Sequence, residues 1–82
     1  MISVHVKLFA VAKDLAGTSE TTISLQDNVQ AAAVLDHFLK VNSRFEGWKD
    51  HLRLAVNSEY VDLNEPLHDG DEVAIIPPVS GG

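Results

Sequence analysis

The chain contains no cysteine. Disulfides, thiolate zinc centres and cysteine nucleophiles are therefore excluded. Basic residues are also scarce, with six Lys and Arg against twelve Asp and Glu and a formal net charge of −6. Phosphate-backbone binding needs clustered cations. The six here are scattered, so no nucleic-acid partner is expected. No apolar run is long enough to cross a bilayer. The opening stretch MISVHVKLFAVAKDLAG has neither a basic n-region nor a long uninterrupted apolar h-region, so it does not read as a signal peptide. The expectation is a cytoplasmic protein with no membrane partner.

Catalytic motifs are missing as well. There is no G-x-S-x-G, no P-loop and no G-x-G-x-x-G. His5, His37, His51 and His68 fall in separate segments without ligand spacing, so no metal site is expected. The acidic corner Asp69-Gly70-Asp71-Glu72 is too short for a calcium loop and lacks the distal bidentate Glu. It reads as a turn before a strand. A chain of 82 residues is one domain that buries roughly 60% of its unfolded surface, which leaves no room for a deep cleft. A self-sufficient enzyme is not expected, and no bound cofactor.

What is present is a clear element pattern. In ISVHVKLFA (2–10), Ile2, Val4, Val6 and Leu8 alternate with Ser3, His5, Lys7 and Phe9, which predicts a half-buried strand. AVAKDLAG (10–17) predicts a short helical turn closed by Gly17. ETTISL (20–25) is a second strand with Thr21, Ile23 and Leu25 on one face. DNVQAAAVLDHFLKVN (27–42) predicts the one long helix, opened by an Asp27–Gln30 capping box. Its apolar stripe is Ala31, Val34, Leu35, Phe38 and Leu39, and Asp36 and Lys40 form an outer i,i+4 pair. Residues 43–51 read as irregular and pinned to the core by Phe45 and Trp48. LRLAVN (52–57), a turn at 57–59, a short extended piece from Tyr60 and Val61, and DEVAIIPP (71–78) complete the chain. Pro77 and Pro78 remove two backbone donors and end ladder pairing.

The order β, β, α, β, short β, β predicts an α+β two-layer domain with one main helix on a mixed sheet. A last strand returning beside the first makes this the β-grasp arrangement. Phe9, Tyr60 and Ile76 are apolar or aromatic at positions that strand parity, or a turn edge, leaves exposed. Sharing one face, they would make a partner patch. The alternative is scattered single residues or a second buried face.

The chain closes on PPVSGG. Residues 1–78 are expected to form the domain and 79–82 a flexible reactive tail. Four extended residues reach about 13 Å. Pro77 and Pro78 favour an extended exit, Val79 and Ser80 give reach, and Gly81 and Gly82 have no Cβ to obstruct a narrow channel. The Gly82 carboxylate is ionised at neutral pH and a poor electrophile. Adenylation would activate it, and a sulfur or amine nucleophile could then replace AMP. The product would be a thiocarboxylate, which donates sulfur, or an amide, which tags a protein.

Two segments, LFAVAKDLAGT (8–18) and LAVNSEYVDLNEPLHDGDEVAIIPPVSGG (54–82), carry a resemblance that spans the whole chain. It resembles the MoaD-like small subunits of molybdopterin synthase, a ubiquitin-like sulfur-carrier family. The resemblance implies a β-grasp fold. It implies that an E1-like enzyme adenylates Gly82 with ATP and that a sulfur-donating enzyme completes the thiocarboxylate. The tail, Pro77 to Gly82, would then insert into a large subunit that supplies the active-site pocket. There sulfur would pass to cyclic pyranopterin monophosphate to form the molybdopterin dithiolene, within a heterotetramer of two small and two large subunits. The family's exposed hydrophobic patch falls on Phe9, Tyr60 and Ile76, with Tyr60 and Ile76 replacing the more typical Leu and Phe. Lys13 matches a basic position in its contact region. Three other readings are a ubiquitin-like modifier joined to lysines through Gly82, a thiamine-type sulfur carrier, and an interaction module with an inert end.

Overall fold

A computed structural model of the chain describes residues 1–78. The elements run β1 (Ile2–Leu8), α1 (Ala10–Ala16), β2 (Glu20–Leu25), α2 (Ala32–Val41), β3 (Arg53–Val56), β4 (Glu59–Val61) and β5 (Glu72–Ile76). They build one five-stranded sheet in the order β2-β1-β5-β3-β4. β1 and β5 are parallel, and every other neighbouring pair is antiparallel. The predicted α+β, β-grasp architecture is therefore the one formed, with the last strand beside the first.

Alternation in the strands explains the core. Val4, Val6 and Leu8 of β1, Ile23 of β2, Leu54 and Val56 of β3, and Val73 and Ile75 of β5 are all buried. Against them lie Ala31, Val34, Leu35 and Phe38, the stripe predicted by helical spacing. Phe45 closes the end of this layer at 1% exposure and tilts against Phe38 at 5.6 Å between ring centroids. No buried side-chain polar atom among the described residues lacks a hydrogen-bond partner.

Helix α2 begins later than its periodicity suggests. Asp27 and Asn28 form a turn, with Asn28 in the left-handed region at φ 63°, and Gln30 bridges to Pro66. The Asp27–Gln30 capping box is not formed, and the Asp27 carboxylate instead meets the Met1 amino group at 3.0 Å. The free amides of the first turn are satisfied from another segment. Ala31 N–H donates to the Glu65 carbonyl at 2.8 Å and Ala32 N–H to the Leu63 carbonyl at 2.9 Å. Capping by a distant backbone leaves no local sequence signal.

Three smaller expectations also need correction. Residues Ser43–Gly47 and Lys49–His51 are 3₁₀ turns rather than irregular. Trp48 does not pin them, since it is 36% exposed while Phe45 is buried. Asp36 and Lys40 are not among the ion pairs of the described residues, as expected of two exposed side chains whose pairing gains little in water. At the end of α1, Gly17 does take the left-handed conformation, φ 78°, and its N–H donates to the Lys13 carbonyl at 2.9 Å.

A clasp built on Asn57 holds β3, β4 and β5 in register. Asn57 and Ser58 form a two-residue hairpin loop with φ 51° and 73°, the left-handed pair of a type I′ turn. The Asn57 amide Nδ2 donates to Asp71 Oδ1 at 3.0 Å, and its Oδ1 accepts from the Glu72 N–H at 3.0 Å. Asp71 Oδ2 in turn accepts from the His68 N–H at 2.8 Å. Asn tolerates the left-handed backbone, but Ser gains nothing there. Ser58→Gly should therefore raise the unfolding free energy by roughly 0.5–1 kcal/mol. Asn57→Ala should lower it by about 2 kcal/mol, through two lost hydrogen bonds and added strain. Urea unfolding checks both, and a lower midpoint for Ser58→Gly would contradict the turn assignment.

Candidate functional site

The sheet has a second face, turned away from α2. Strand parity places Ser3, His5 and Lys7 of β1 there, with Glu72, Ala74 and Ile76 of β5 and Arg53 and Ala55 of β3. Tyr60 joins them because it lies opposite Ala55. One half of this face is polar. His5 lies 3.5 Å from the Glu20 carboxylate and Lys7 3.5 Å from that of Glu72, all four partly or largely exposed. The other half is apolar and sits at the end of β5, where the chain leaves the sheet.

Phe9 belongs to the apolar half. It follows β1 in extended geometry, φ −121° and ψ 150°, so the alternation continues one residue past the strand. The parallel register pairs Leu8 with Ile75, which sets Phe9 beside Ile76. Its N–H donates to the Ile75 carbonyl at 3.4 Å, and its own carbonyl accepts from the Ala12 and Lys13 amides. The residue is held between β5 and α1 while its ring stays 48% exposed. Ala10, the next residue, takes φ 50°, a costly conformation for alanine that turns the chain sharply into α1.

Tyr60 is 70% exposed. With Arg53, Ile76, Pro77 and Pro78 it lines a shallow groove of about 410 Å³. Phe9 and Lys13 line a neighbouring groove of about 440 Å³. Of the two prolines, Pro77 is buried and Pro78 exposed. The three apolar residues singled out by parity thus lie on one sheet face at the root of the C-terminal segment. Val79, Ser80, Gly81 and Gly82, the expected reactive tail, lie outside the described residues. No group of His, Asp and Glu among the described residues could hold a metal ion, and no helix there is long and apolar enough to cross a membrane.

Arg53 received no role from the sequence pattern. Its signal was nonetheless available: Leu52, Leu54 and Val56 point inward, so Arg53 must share the outer face with Tyr60 and Ile76. Ala55 and Ala74 are a second omission, because only these two alanine side chains separate Tyr60 from Lys7 across the middle of that face.

A mixed sheet of this order gripping one main helix defines a ubiquitin-like β-grasp protein. The chain belongs to the ThiS family, whose pattern matches residues 6–82. It is 39% identical over 87 residues to a molybdopterin synthase sulfur carrier subunit of Drosophila melanogaster, covering 100% of this chain and 93% of that one. A putative molybdopterin converting factor subunit 1 from Pyrococcus furiosus superposes with a TM-score of 0.87 at 32% identity, over 96% of this chain and 100% of that one. SAMP1, a small archaeal modifier protein from Haloferax volcanii, gives 0.85 at 30% identity over 98% and 99%. In a solved complex of subunits 1 and 2 of the molybdopterin-converting factor from Helicobacter pylori, the matching chain gives 0.69 at 29% identity over 99% and 100%.

The exposure of these side chains predicts a separation of roles. Tyr60→Ala should change the unfolding free energy by less than about 0.5 kcal/mol. Phe45→Ala should cost roughly 3–5 kcal/mol. Equilibrium urea unfolding distinguishes them, and an equal loss from both would place Tyr60 in the core.

Proposed function

We propose that the chain is the sulfur carrier subunit of a molybdopterin synthase, with the Gly82 carboxylate as its reactive group. The observation that supports this most is the placement of Phe9, Tyr60 and Ile76 on one sheet face beside Pro77 and Pro78. From there the family pattern continues through Gly82. The domain supplies a docking face, and residues 79–82 supply the chemistry.

A Gly82 carboxylate oxygen attacks the α-phosphorus of ATP in an E1-like enzyme, pyrophosphate leaves, and an acyl-adenylate forms. A sulfur nucleophile delivered by a donor enzyme attacks the carbonyl carbon, AMP leaves, and the thiocarboxylate remains. In the large subunit's pocket its sulfur attacks a carbon of cyclic pyranopterin monophosphate and displaces the oxygen bonded there. Water then cleaves the resulting thioester, which leaves the sulfur on the pterin and frees the Gly82 carboxylate, and a second thiocarboxylate supplies the other sulfur of the dithiolene. Glycine suits each step because no Cβ hinders attack at the carbonyl. Cysteine is not needed, and none is present. A partner must supply the walls of the active site, since an 82-residue domain with open, shallow grooves cannot exclude water by itself.

Intact-mass spectrometry after incubation with the activating enzyme, ATP and a sulfur source should record one oxygen-to-sulfur exchange. Deleting Gly82 should abolish it while leaving the fold unchanged. An unchanged mass with active partners would refute the carrier reading. The likeness to SAMP1 supports a second reading, a modifier joined to lysines through Gly82. Lysines carrying a remnant of this tail in cell extracts would establish it, and their absence alongside thiocarboxylate formation would leave the carrier role alone.

A further inference from the structure

Of the charged side chains that the strands place on the outer face, Arg53 is the one with no ion-pair partner among the described residues. Arg53 opens β3, lies opposite Ile76 in the register, and is exposed. It lines the groove of Tyr60, Ile76, Pro77 and Pro78, and also a second groove of about 290 Å³ formed with Asp50, His51, Leu52 and Pro78. The two grooves meet at Arg53 and Pro78. A protein surface that covers Pro78 from either groove therefore meets this guanidinium.

Among the described residues its charge has no ion-pair partner. Asp50 shares the second groove, and Asp62 follows the end of β4 where the register would set it opposite Arg53. Neither is among the ion pairs of the described residues. By contrast Lys7, on the same face, is paired with Glu72. The chain as a whole carries −6, so a cation beside the apolar patch with no carboxylate partner among the described residues runs against the general field. A guanidinium presents a planar fork of donors that fits a carboxylate bidentately, and it stays charged when water is removed.

We propose that Arg53 is a specificity-determining contact for the large subunit, reading an Asp or Glu carboxylate that this partner presents beside the mouth of the channel receiving the tail. This rests on the carrier reading above. Phe9, Tyr60 and Ile76 supply apolar area, and Arg53 fixes which apolar surface is accepted, because docking against an uncharged or basic surface would strip its water without replacing it. A charge at the rim of an interface acts mainly on the association rate and its salt dependence.

The test is association of the full chain with the large subunit, followed by stopped-flow or surface plasmon resonance at low and high salt. Arg53→Glu should slow association about tenfold at low salt, and the deficit should shrink as salt screens the interaction. Arg53→Lys, which keeps the charge, should associate within about threefold of wild type. Both variants should keep the wild-type thermal midpoint. Exchanging the facing carboxylate of the large subunit for lysine should restore the rate of Arg53→Glu. Wild-type rate and salt slope in Arg53→Glu would overturn this inference and leave the carrier reading intact. Failure of the wild-type chain to bind the large subunit at all would overturn both.

Discussion

The parallel pairing of β1 with β5 is the contact on which the rest depends. Val6 opposite Val73 and Leu8 opposite Ile75 join the two ends of the chain at the centre of the sheet, where all four are buried. This pairing is non-local and its loop-closure entropy is lost before any contact is gained. Four buried aliphatic side chains, each contributing roughly 1.5–3 kcal/mol on burial, offset that loss. The same register has a consequence on the opposite face. It carries Phe9 to Ile76 and fixes Pro77 and Pro78 beside them, so core packing on one side of β5 positions the proposed docking surface on the other.

Secondary contacts that join backbone groups to one another and to the Asp69, Asp71 and Asn57 side chains hold this arrangement in place. The Ser3 N–H donates to Asp69 Oδ1 at 2.7 Å, the Gly70 N–H to the Ser3 carbonyl at 2.7 Å, and the His5 N–H to the Asp71 carbonyl at 2.9 Å. These bonds extend the β1–β5 seam back through the Asp69–Asp71 turn. Asn57 then ties the same turn to the β3–β4 hairpin. The acidic corner is consumed by these bonds. The Asp69 and Asp71 carboxylates are turn and clasp acceptors, and that of Glu72 is paired with Lys7, which accounts for all three acidic residues there.

Much of this was legible in the sequence, and the parts that were not share a cause. Strand parity located Val4, Val6 and Leu8 on the core face, helical spacing located Val34, Leu35 and Phe38, and Gly17 marked the end of α1. Each is a local pattern. The start of α2 was misplaced because its first amides bond to carbonyls of residues 63 and 65, far along the chain. Phe45 and Trp48 were both expected to pin residues 43–51 to the core, whereas the 3₁₀ turns bury Phe45 and leave Trp48 36% exposed. Phe9, Tyr60 and Ile76 could be recognised singly, but their shared face needed the strand order. Arg53 went unread for the same reason. A lone arginine in a strand has no meaning until its cross-strand neighbour is known to be Ile76.

The central claim is that the outer sheet face and the segment beyond Pro78 engage a partner as one surface. Amide chemical-shift mapping of the labelled chain, titrated with the large subunit of a molybdopterin synthase, tests it most directly. The predicted footprint joins Phe9, Arg53, Tyr60 and Ile76 to residues 77–82 and spares the exposed side of α2 around Asp36 and Lys40. A footprint centred on α2, or one confined to the tail with the sheet face silent, would contradict the account.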